Sequence, residues 1–155
     1  MYKKILIVRL DRIGDVMLST PAISAVRKAF PGSHIAVMVS PYASPIIEGN
    51  PSVDEVIIYD KKGNEKGLSG NVRFAAVLGR KKFDLAIVLH PTARTHIALF
   101  LAGIPVRVGY DKKYGFLLTK RLPHTKQSGL KHEIDYTLDV LRLAGIEPSG
   151  RTLYM

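Results

Sequence analysis

One acidic side chain follows a buried strand and is the first candidate for chemistry. Residues 5–8 form a continuous apolar and β-branched run, which is typical of a strand buried on both faces, and Asp15 lies in the polar stretch after it. A carboxylate at the mouth of a cleft can accept a proton from a substrate hydroxyl group. The structural alternative is that Asp15 caps the turn that follows it.

Two arginines flank the same stretch. Arg9 ends the predicted strand, and Arg12 lies within the loop. A guanidinium group matches the geometry of a carboxylate or a phosphate, so both residues are candidates for binding an anionic ligand. For Arg9 a structural pairing with Asp11 or Asp15 is an equal alternative, because a charged side chain at the end of a buried strand needs a partner.

A second polar cluster follows the apolar run at 84–89. His90 comes directly after this run, and Thr92 and Arg94 lie at the start of a predicted helix. Because the carboxyl ends of parallel strands meet at one edge of a sheet, we expect this cluster near Asp15, where a helix start also favours anions. The alternative is a loop histidine and a solvated arginine without a ligand.

The segment 111–131 is strongly basic and is predicted to be mainly loop around one short element. It could hold phosphate groups of a ligand or lie on an anionic membrane surface. The alternative is a solvated loop, and for His132, which opens the last predicted helix, we favour a structural contact. The basic residues of the segment are Lys112, Lys113, Lys120, Arg121, His124, Lys126 and Lys131.

Several kinds of site are excluded by what the chain lacks. The loop around Asp15 has a single glycine, Gly14, so it is not a dinucleotide-binding glycine motif, and no Walker A lysine loop occurs. The absence of cysteine excludes thiol nucleophiles and disulfides, and it fits a reducing compartment. No His, Asp or Glu set has metal-ligand spacing. We therefore expect no metal ion and no cofactor.

The elements that must position these residues alternate between strand and helix. This alternation predicts an α/β fold, a parallel sheet with right-handed connections and helices on both faces. Thr20 is the predicted N-cap of the first helix, and Pro21 suits its first turn. Residues 60–70 are expected to be a surface loop. The predicted strands are residues 5–8, 34–39, 56–59, 84–89 and 106–110, and the main helices are residues 21–30, 72–78, 93–101 and 133–144.

The net charge of +10 is the strongest compositional feature of this 155-residue chain. Such an excess attracts nucleic acid, acidic lipid or a phosphorylated substrate, so a basic stand-alone module for nucleic acid or another anion is one possible function. Aromatic residues make up only 8% and do not interleave with the basic runs, so base-stacking surfaces are hard to find and no nucleic acid is expected. The missing glycine motifs disfavour a complete small nucleotide-binding enzyme.

The motif around Asp15 is one of several short motifs that occur in order along nearly the whole chain. They are RLDRIGDV at 9–16, TPA at 20–22, FPG at 30–32, NPSVD at 50–54, the strand at 83–90 and HE at 132–133. Together they resemble the amino-terminal part of bacterial heptosyltransferases, which add heptose from ADP-heptose to the lipopolysaccharide core.

This resemblance implies a fold, a reaction and a set of site residues. The fold is a Rossmann-like domain that forms one half of a glycosyltransferase-B (GT-B) fold, and the reaction is an inverting, metal-independent sugar transfer. Asp15 matches the family's catalytic base, and Ile13 and Gly14 are expected to contact the donor. The acceptor-binding residues are then Arg9, Arg12, His90, Thr92, Arg94, Lys112 and Lys113.

The resemblance covers only the amino-terminal half of such an enzyme. We therefore expect residues 1–155 to be the acceptor-binding domain, with the nucleotide-sugar bound mainly by a carboxyl-terminal domain absent from this chain, and little activity from the chain alone. The expected partners are a nucleotide-sugar donor such as ADP-heptose, a lipopolysaccharide core acceptor and an anionic membrane surface. The expected location is cytoplasmic, peripheral to the inner face of the cytoplasmic membrane.

Overall fold

A computed structural model describes residues 2–10, 13–60, 63, 67–123 and 133–146. Its strands are β1 (Lys4–Val8), β2 (His34–Val39), β3 (Glu55–Ile58), β4 (Leu85–Val88), β5 (Val106–Asp111) and β6 (Lys120–Pro123). Its helices are α1 (Ile13–Leu18), α2 (Thr20–Ala29), α3 (Ser44–Ile47), α4 (Gly67–Lys81), α5 (Ala93–Leu101) and α6 (Glu133–Leu143), with a 3₁₀ turn at Gly115–Leu117.

The described strands form one sheet in the order β3-β2-β1-β4-β5-β6, and every neighbouring pair is parallel. The chain therefore starts in the middle, builds outward to β3, and then returns to β4 on the other side of β1. Strand order reverses between β1 and β4, and open α/β sheets bind ligands in the crevice at the carboxyl end of such a point.

Both faces of the central strands are buried, which explains their continuous apolar sequence. In β1, Ile5 and Ile7 face one side of the sheet, and Leu6 and Val8 face the other. The first face is covered by α1, α2, α3 and α6, and the second by α4 and α5. Among the helices in the described ranges, none combines the length and hydropathy needed to cross a bilayer.

The α/β prediction and its five strands are confirmed, but the loop after β1 was predicted wrongly. Part of it forms α1, a helix of six residues. Thr20 is not the N-cap of α2, because Ser19 takes that position and Thr20 is fully buried, with its hydroxyl donating to the Met17 carbonyl at 2.9 Å. The placement of Pro21 in the first turn is confirmed.

Two further differences lie in the second half of the chain. Helix α4 begins at Gly67, five residues earlier than predicted, so the surface loop before it is shorter. The basic segment contains β6, a sixth parallel strand that the sequence pattern did not reveal, because its residues KRLP have no apolar run. The His124, Lys126, Lys131 and His132 predictions lie outside the described residues.

The amino edge of the sheet, where the strands begin, is closed by charged side chains that bind one another and the backbone. Arg27 donates to the carbonyls of Ser33 (2.8 Å) and Ser52 (3.2 Å) and pairs with Asp54 at 2.5 Å. Asp54 also accepts from the Ile35 amide at 2.8 Å. Asp54 closes the NPSVD motif, so this part of the family resemblance has a structural explanation in the chain.

Glu55 forms a second closed group at the same edge. Its two carboxylate oxygens lie 2.8 Å from His34 Nε2 and 2.6 Å from Lys81 Nζ. Burial raises the pKa of Glu55, but the hydrogen bonds and charges of Lys81 and His34 outweigh it and leave the pKa below its ordinary value. Burial likewise raises the pKa of Asp54, and the Ile35 amide and Arg27 reverse the shift, so that this pKa is also lowered.

Candidate active site

A cleft opens at the carboxyl edge of the sheet. Four strands contribute to it, because the residues that follow β1, β2, β3 and β4 all line its walls. This places it at the switch in strand order, where the topology predicts a ligand site. The lining residues are Leu10, Ser40, Pro41, Tyr42, Tyr59, Asp60, His90, Thr92 and Arg94.

Helix α5 forms one wall of the cleft, and hydrogen bonds at the first turn of this helix fix the position of that wall. Thr92 is the N-cap of α5, and its hydroxyl oxygen accepts from the Thr95 amide at 3.1 Å. Arg94 donates from Nε to the Tyr59 hydroxyl at 2.9 Å, and that hydroxyl donates to Asn71 Oδ1 at 2.7 Å. Asn71 in turn donates to the Arg94 carbonyl at 3.2 Å, so a closed ring of hydrogen bonds fixes this guanidinium at the cleft.

The prediction that His90, Thr92 and Arg94 form one cluster near the sheet edge agrees with their common place in this cleft. His90 lies directly after β4, as predicted, and is half-buried. The ring of bonds around Arg94 also shows that its side chain has a structural role, linking α5 to α4 and to the end of β3. A positive charge held in this way has a fixed position before any ligand binds.

Ser40 is a cleft residue that sequence reasoning missed. It follows β2 directly, is only 7% exposed, and its hydroxyl has no hydrogen-bond partner among the described residues. A buried hydroxyl without a partner is costly, which suggests that a ligand or water group completes it. The sequence contained a signal for Ser40, because this residue directly follows a predicted strand and so lies at the same sheet edge as His90.

Asp15 lies in the first turn of α1, beside the carboxyl end of β1. Its side chain is 30% exposed, and its Oδ1 lies 3.6 Å from Nη2 of Arg9. Arg9 is 1% exposed and also donates from Nη1 to the Leu89 carbonyl at 2.9 Å. Of the two alternatives stated for Arg9, the structure therefore contains the pairing with Asp15. The carboxylate is held on one side by a buried cation and remains open on the other.

Asp15 and the cleft lie on opposite sides of the same strand ends. Arg9 points toward α1, whereas Leu10, the next residue, lines the cleft. Leu89 and His90 repeat this division after β4, since the Leu89 carbonyl binds Arg9 and His90 lines the cleft. Adjacent residues of two strands thus connect Asp15 to the cleft, but Asp15 is not one of the residues that line it.

The remaining predicted site residues lie elsewhere. Ile13 is 44% exposed at the start of α1, and a side chain added to Gly14 would meet no described atom within 4 Å. Lys112 and Lys113 follow β5 and are not among the cleft residues. Arg12 lies outside the described residues. No group of three or more metal-ligating side chains occurs within the described ranges.

These features define a Rossmann-like domain with its ligand cleft at the carboxyl edge of the sheet. No family model matches the chain. Over 116 residues it is 28% identical to lipopolysaccharide heptosyltransferase 2 of Escherichia coli, an alignment that covers 74% of this chain and 33% of that protein.

Two solved structures have a similar fold. The crystal structure of a glycosyl transferase family 9 protein from Veillonella parvula matches with a TM-score of 0.84 and 31% identity, over 99% of this chain and 45% of that one. The E. coli ADP-heptose lipopolysaccharide heptosyltransferase II matches with a TM-score of 0.75 and 23% identity, over 97% and 45%.

The resemblance seen in the sequence is confirmed, and the fold is one half of a GT-B fold. The chain spans between a third and a half of the proteins it matches. It is homologous to glycosyltransferases, and the matching part of each relative is of the size of one domain.

Proposed function

We propose that this chain is the acceptor-binding half of an inverting glycosyltransferase. The enzyme would transfer heptose, or a related sugar, from a nucleotide-sugar such as ADP-heptose to a lipopolysaccharide core acceptor. The observation that carries the proposal is the partly exposed Asp15 carboxylate, which lies 3.6 Å from a buried arginine at the carboxyl edge of the sheet, the same edge at which the cleft opens. Among the named relatives, the E. coli heptosyltransferases support the choice of ADP-heptose and lipopolysaccharide.

In this proposal Asp15 is the catalytic base. The acceptor hydroxyl oxygen attacks the anomeric carbon, its proton passes to an Asp15 carboxylate oxygen, and the bond from the anomeric carbon to the nucleotide phosphate breaks. The nucleoside diphosphate then leaves with the electron pair of that bond. A base fixed at the point of attack can accelerate such a step by about 10²- to 10⁴-fold.

Arg9 is then a positioning residue rather than an acceptor ligand. Its guanidinium is almost completely buried and reaches both the Leu89 carbonyl and Asp15. It therefore ties the orientation of the base to the ends of β1 and β4. Ile13 and Gly14 lie within two residues of Asp15 on the exposed start of α1, which fits the expected contact with the donor.

The cleft is the proposed site of the anionic groups of the acceptor, and the reacting hydroxyl group would extend from it across the strand ends to Asp15. Arg94 brings a fixed positive charge, Thr92 the start of α5, and Ser40 and His90 polar groups, so the cleft suits a phosphorylated or carboxylated sugar. Lys112 and Lys113 lie outside it. For Lys112 and Lys113 we therefore keep the alternative stated above, that they lie on a surface that faces another anion.

The donor would be bound mainly by a second domain that this chain does not include. This proposal rests on the chain matching less than half of each solved relative. In the two-domain arrangement the exposed side of Asp15 would face the donor across the gap between the domains. The expected cytoplasmic location stays a prediction.

The proposal is tested with the full-length protein that contains this chain. It is incubated with a panel of nucleotide-sugars and a heptose-deficient lipopolysaccharide core, and the product is followed by mass spectrometry and by the anomeric coupling in NMR. We expect one added sugar from ADP-heptose with inverted anomeric configuration. The 155-residue chain alone should give negligible transfer, since it lacks most of the donor pocket.

Two results would contradict the proposal. One is the absence of transfer from every nucleotide-sugar in the panel by a protein that is folded and binds at least one of them. The other is a retained anomeric configuration, which would require a nucleophile instead of a base. The variant Asp139→Asn on α6 is the matched control, because it removes a carboxylate that pairs with Arg142 and does not line the cleft.

A further inference from the structure

Two tyrosines line the cleft, and the structure treats them differently. Tyr59 is 3% exposed, and its hydroxyl accepts from Arg94 and donates to Asn71, so its side chain forms part of the wall. Tyr42 also lines the cleft but is 66% exposed. Ligand pockets are typically built from apolar and aromatic side chains with a few polar groups among them. Tyr42 therefore offers a ligand in the cleft the flat apolar face of an aromatic ring.

The backbone fixes the position of Tyr42 although its side chain is exposed. The four residues 40–43 form a turn directly after β2, which is closed by the Ala43 amide donating to the Ser40 carbonyl at 3.1 Å. Pro41 suits the second position of this turn, because its φ angle is already fixed. Ala43 is fully buried and anchors the other end of the turn. Tyr42 therefore loses little backbone freedom when it binds a ligand.

The polar groups that share the cleft with Tyr42 include both signs of charge. Arg94 can only donate hydrogen bonds, the Asp60 carboxylate can only accept them, and the Ser40 hydroxyl can do both. An isolated phosphate or carboxylate would be attracted by Arg94 but repelled by Asp60. A hydroxyl group donates as well as accepts, so a ring that carries several hydroxyl groups matches all three residues.

We propose that the cleft binds a sugar ring of the acceptor and that Tyr42 is the residue on which this ring stacks. The C–H groups on one face of the sugar lie against the Tyr42 ring, while Asp60 and Ser40 bind the hydroxyl groups at its rim. Arg94 binds a negatively charged substituent of the same sugar. Tyr42 is thus a specificity-determining residue, which selects for a ring and not only for charge. This inference rests on the proposed function, because it refines what the acceptor site recognises.

The test is binding of a sugar, measured without catalysis. The probe is a de-acylated, heptose-deficient core oligosaccharide, which is titrated into the full-length protein that contains this chain. Calorimetry gives the affinity, and saturation-transfer NMR identifies the sugar C–H groups that lie against the protein. Tyr42→Ser should weaken binding about tenfold and reduce the saturation of one face of the ring. Tyr42→Phe keeps the aromatic ring and should bind within about twofold of the unmodified protein.

The matched control is Tyr114→Ser. It removes a tyrosine of similar exposure, 54%, that is not among the cleft residues, so it should bind the oligosaccharide like the unmodified protein. Thermal unfolding verifies that every variant is folded.

Asp60→Asn separates recognition of hydroxyl groups from recognition of charge, because the two alternatives predict opposite changes. A carboxylate that accepts from sugar hydroxyl groups forms stronger hydrogen bonds than an amide, so this variant should bind the oligosaccharide about three- to fivefold more weakly. A cleft that binds only anions would instead bind more tightly once the repelling charge is removed.

The outcomes for this inference and for the proposed function can be told apart. Unchanged affinity in folded Tyr42→Ser, or tighter binding by Asp60→Asn, would overturn the stacking site even where the unmodified enzyme transfers a sugar. Absence of oligosaccharide binding by the unmodified protein would also overturn it. Binding that depends on Tyr42 in a protein that transfers no sugar from any donor would support the stacking site and contradict the proposed function.

Discussion

Ser33 and Ser40 stand at the two ends of β2 and are buried equally, at 7% exposure each. Ser33, at the amino edge, donates its hydroxyl hydrogen to the Tyr2 carbonyl at 2.6 Å. Ser40, at the carboxyl edge, has no such partner among the described residues and lines the cleft. The same residue type is thus used for closure at one edge and left available for a ligand at the other.

The charged residues repeat this contrast. At the amino edge, Asp54 accepts from both a backbone amide and Arg27. At the carboxyl edge, the cation next to Asp15 within the described ranges is the buried Arg9, whose Nη2 lies 3.6 Å from Asp15 Oδ1. The side chains of Asp54 and Asp15 are 41% and 30% exposed, so the contrast lies in their hydrogen bonds and not in their burial. Two hydrogen bonds fix Asp54 Oδ2, whereas the Arg9 guanidinium lies beyond hydrogen-bond distance of Asp15. The comparison therefore separates residues that maintain the fold from those proposed to act on a substrate.

The largest effect on stability is expected at Arg27. The variant Arg27→Ala removes the cation from four oxygen partners and leaves Asp54 without its ion pair. We expect a loss of about 2–3 kcal/mol in the free energy of unfolding, because charged hydrogen bonds of this kind contribute at that level. Urea unfolding of the 155-residue chain measures it. A loss below about 0.5 kcal/mol would mean that the amino edge is not closed as described.

The amino edge should also govern the response to acid. The pKa values of Asp54 and Glu55 lie below their ordinary values of 3.8 and 4.5, so the folded chain binds these protons less readily than the unfolded chain. Their contribution to stability is therefore present above the ordinary values and is lost as the pH falls through the lowered ones. Between pH 6 and pH 3 the unfolding free energy should decrease less steeply in Asp54→Asn than in the unmodified chain. An identical slope would exclude Asp54 as a contributor.

The two serines give the smallest and sharpest comparison. Ser33→Ala should cost about 1 kcal/mol of stability, since it removes a buried hydrogen bond, and Ser40→Ala should cost close to zero. In the full-length enzyme Ser40→Ala should instead raise the KM for the acceptor about fivefold, the equivalent of one hydrogen bond. Equal stability losses in the two variants, or an unchanged KM, would remove Ser40 from the proposed site.

Much of the fold could be predicted because its information is local. The strands β1, β2 and β4 have apolar runs typical of a buried strand, and α5 has clear limits at Thr92 and Gly103. The strand β6 could not be found in this way, because Lys120 and Arg121 give it no apolar pattern and only pairing with β5 makes it a strand. Helix α1 was missed because its six residues include Gly14 and Asp15 and carry little helical periodicity.

Part of the site could be predicted from one rule, which is that residues following parallel strands meet at the carboxyl edge of the sheet. His90 and Arg94 follow from that rule, and so would Ser40 and Asp60 if the rule had been applied to every strand. The sequence could not predict that Arg9 faces Asp15 while Leu10 lines the cleft. This arrangement depends on which carboxylate and which carbonyl the buried guanidinium reaches. No local pattern identifies the pairing between Arg9 and Leu89, which are 80 residues apart.

The central claim is that Asp15 performs chemistry while Asp54 maintains the fold. The most direct measurement is the rate of sugar transfer per folded molecule by full-length Asp15→Asn and Asp54→Asn at saturating donor and acceptor. The account predicts that Asp15→Asn loses about 10²- to 10⁴-fold in rate per folded molecule at a temperature where it remains folded, whereas Asp54→Asn unfolds at a lower temperature than the unmodified protein and keeps its rate per folded molecule. Transfer by Asp15→Asn at the rate of the unmodified enzyme would contradict it.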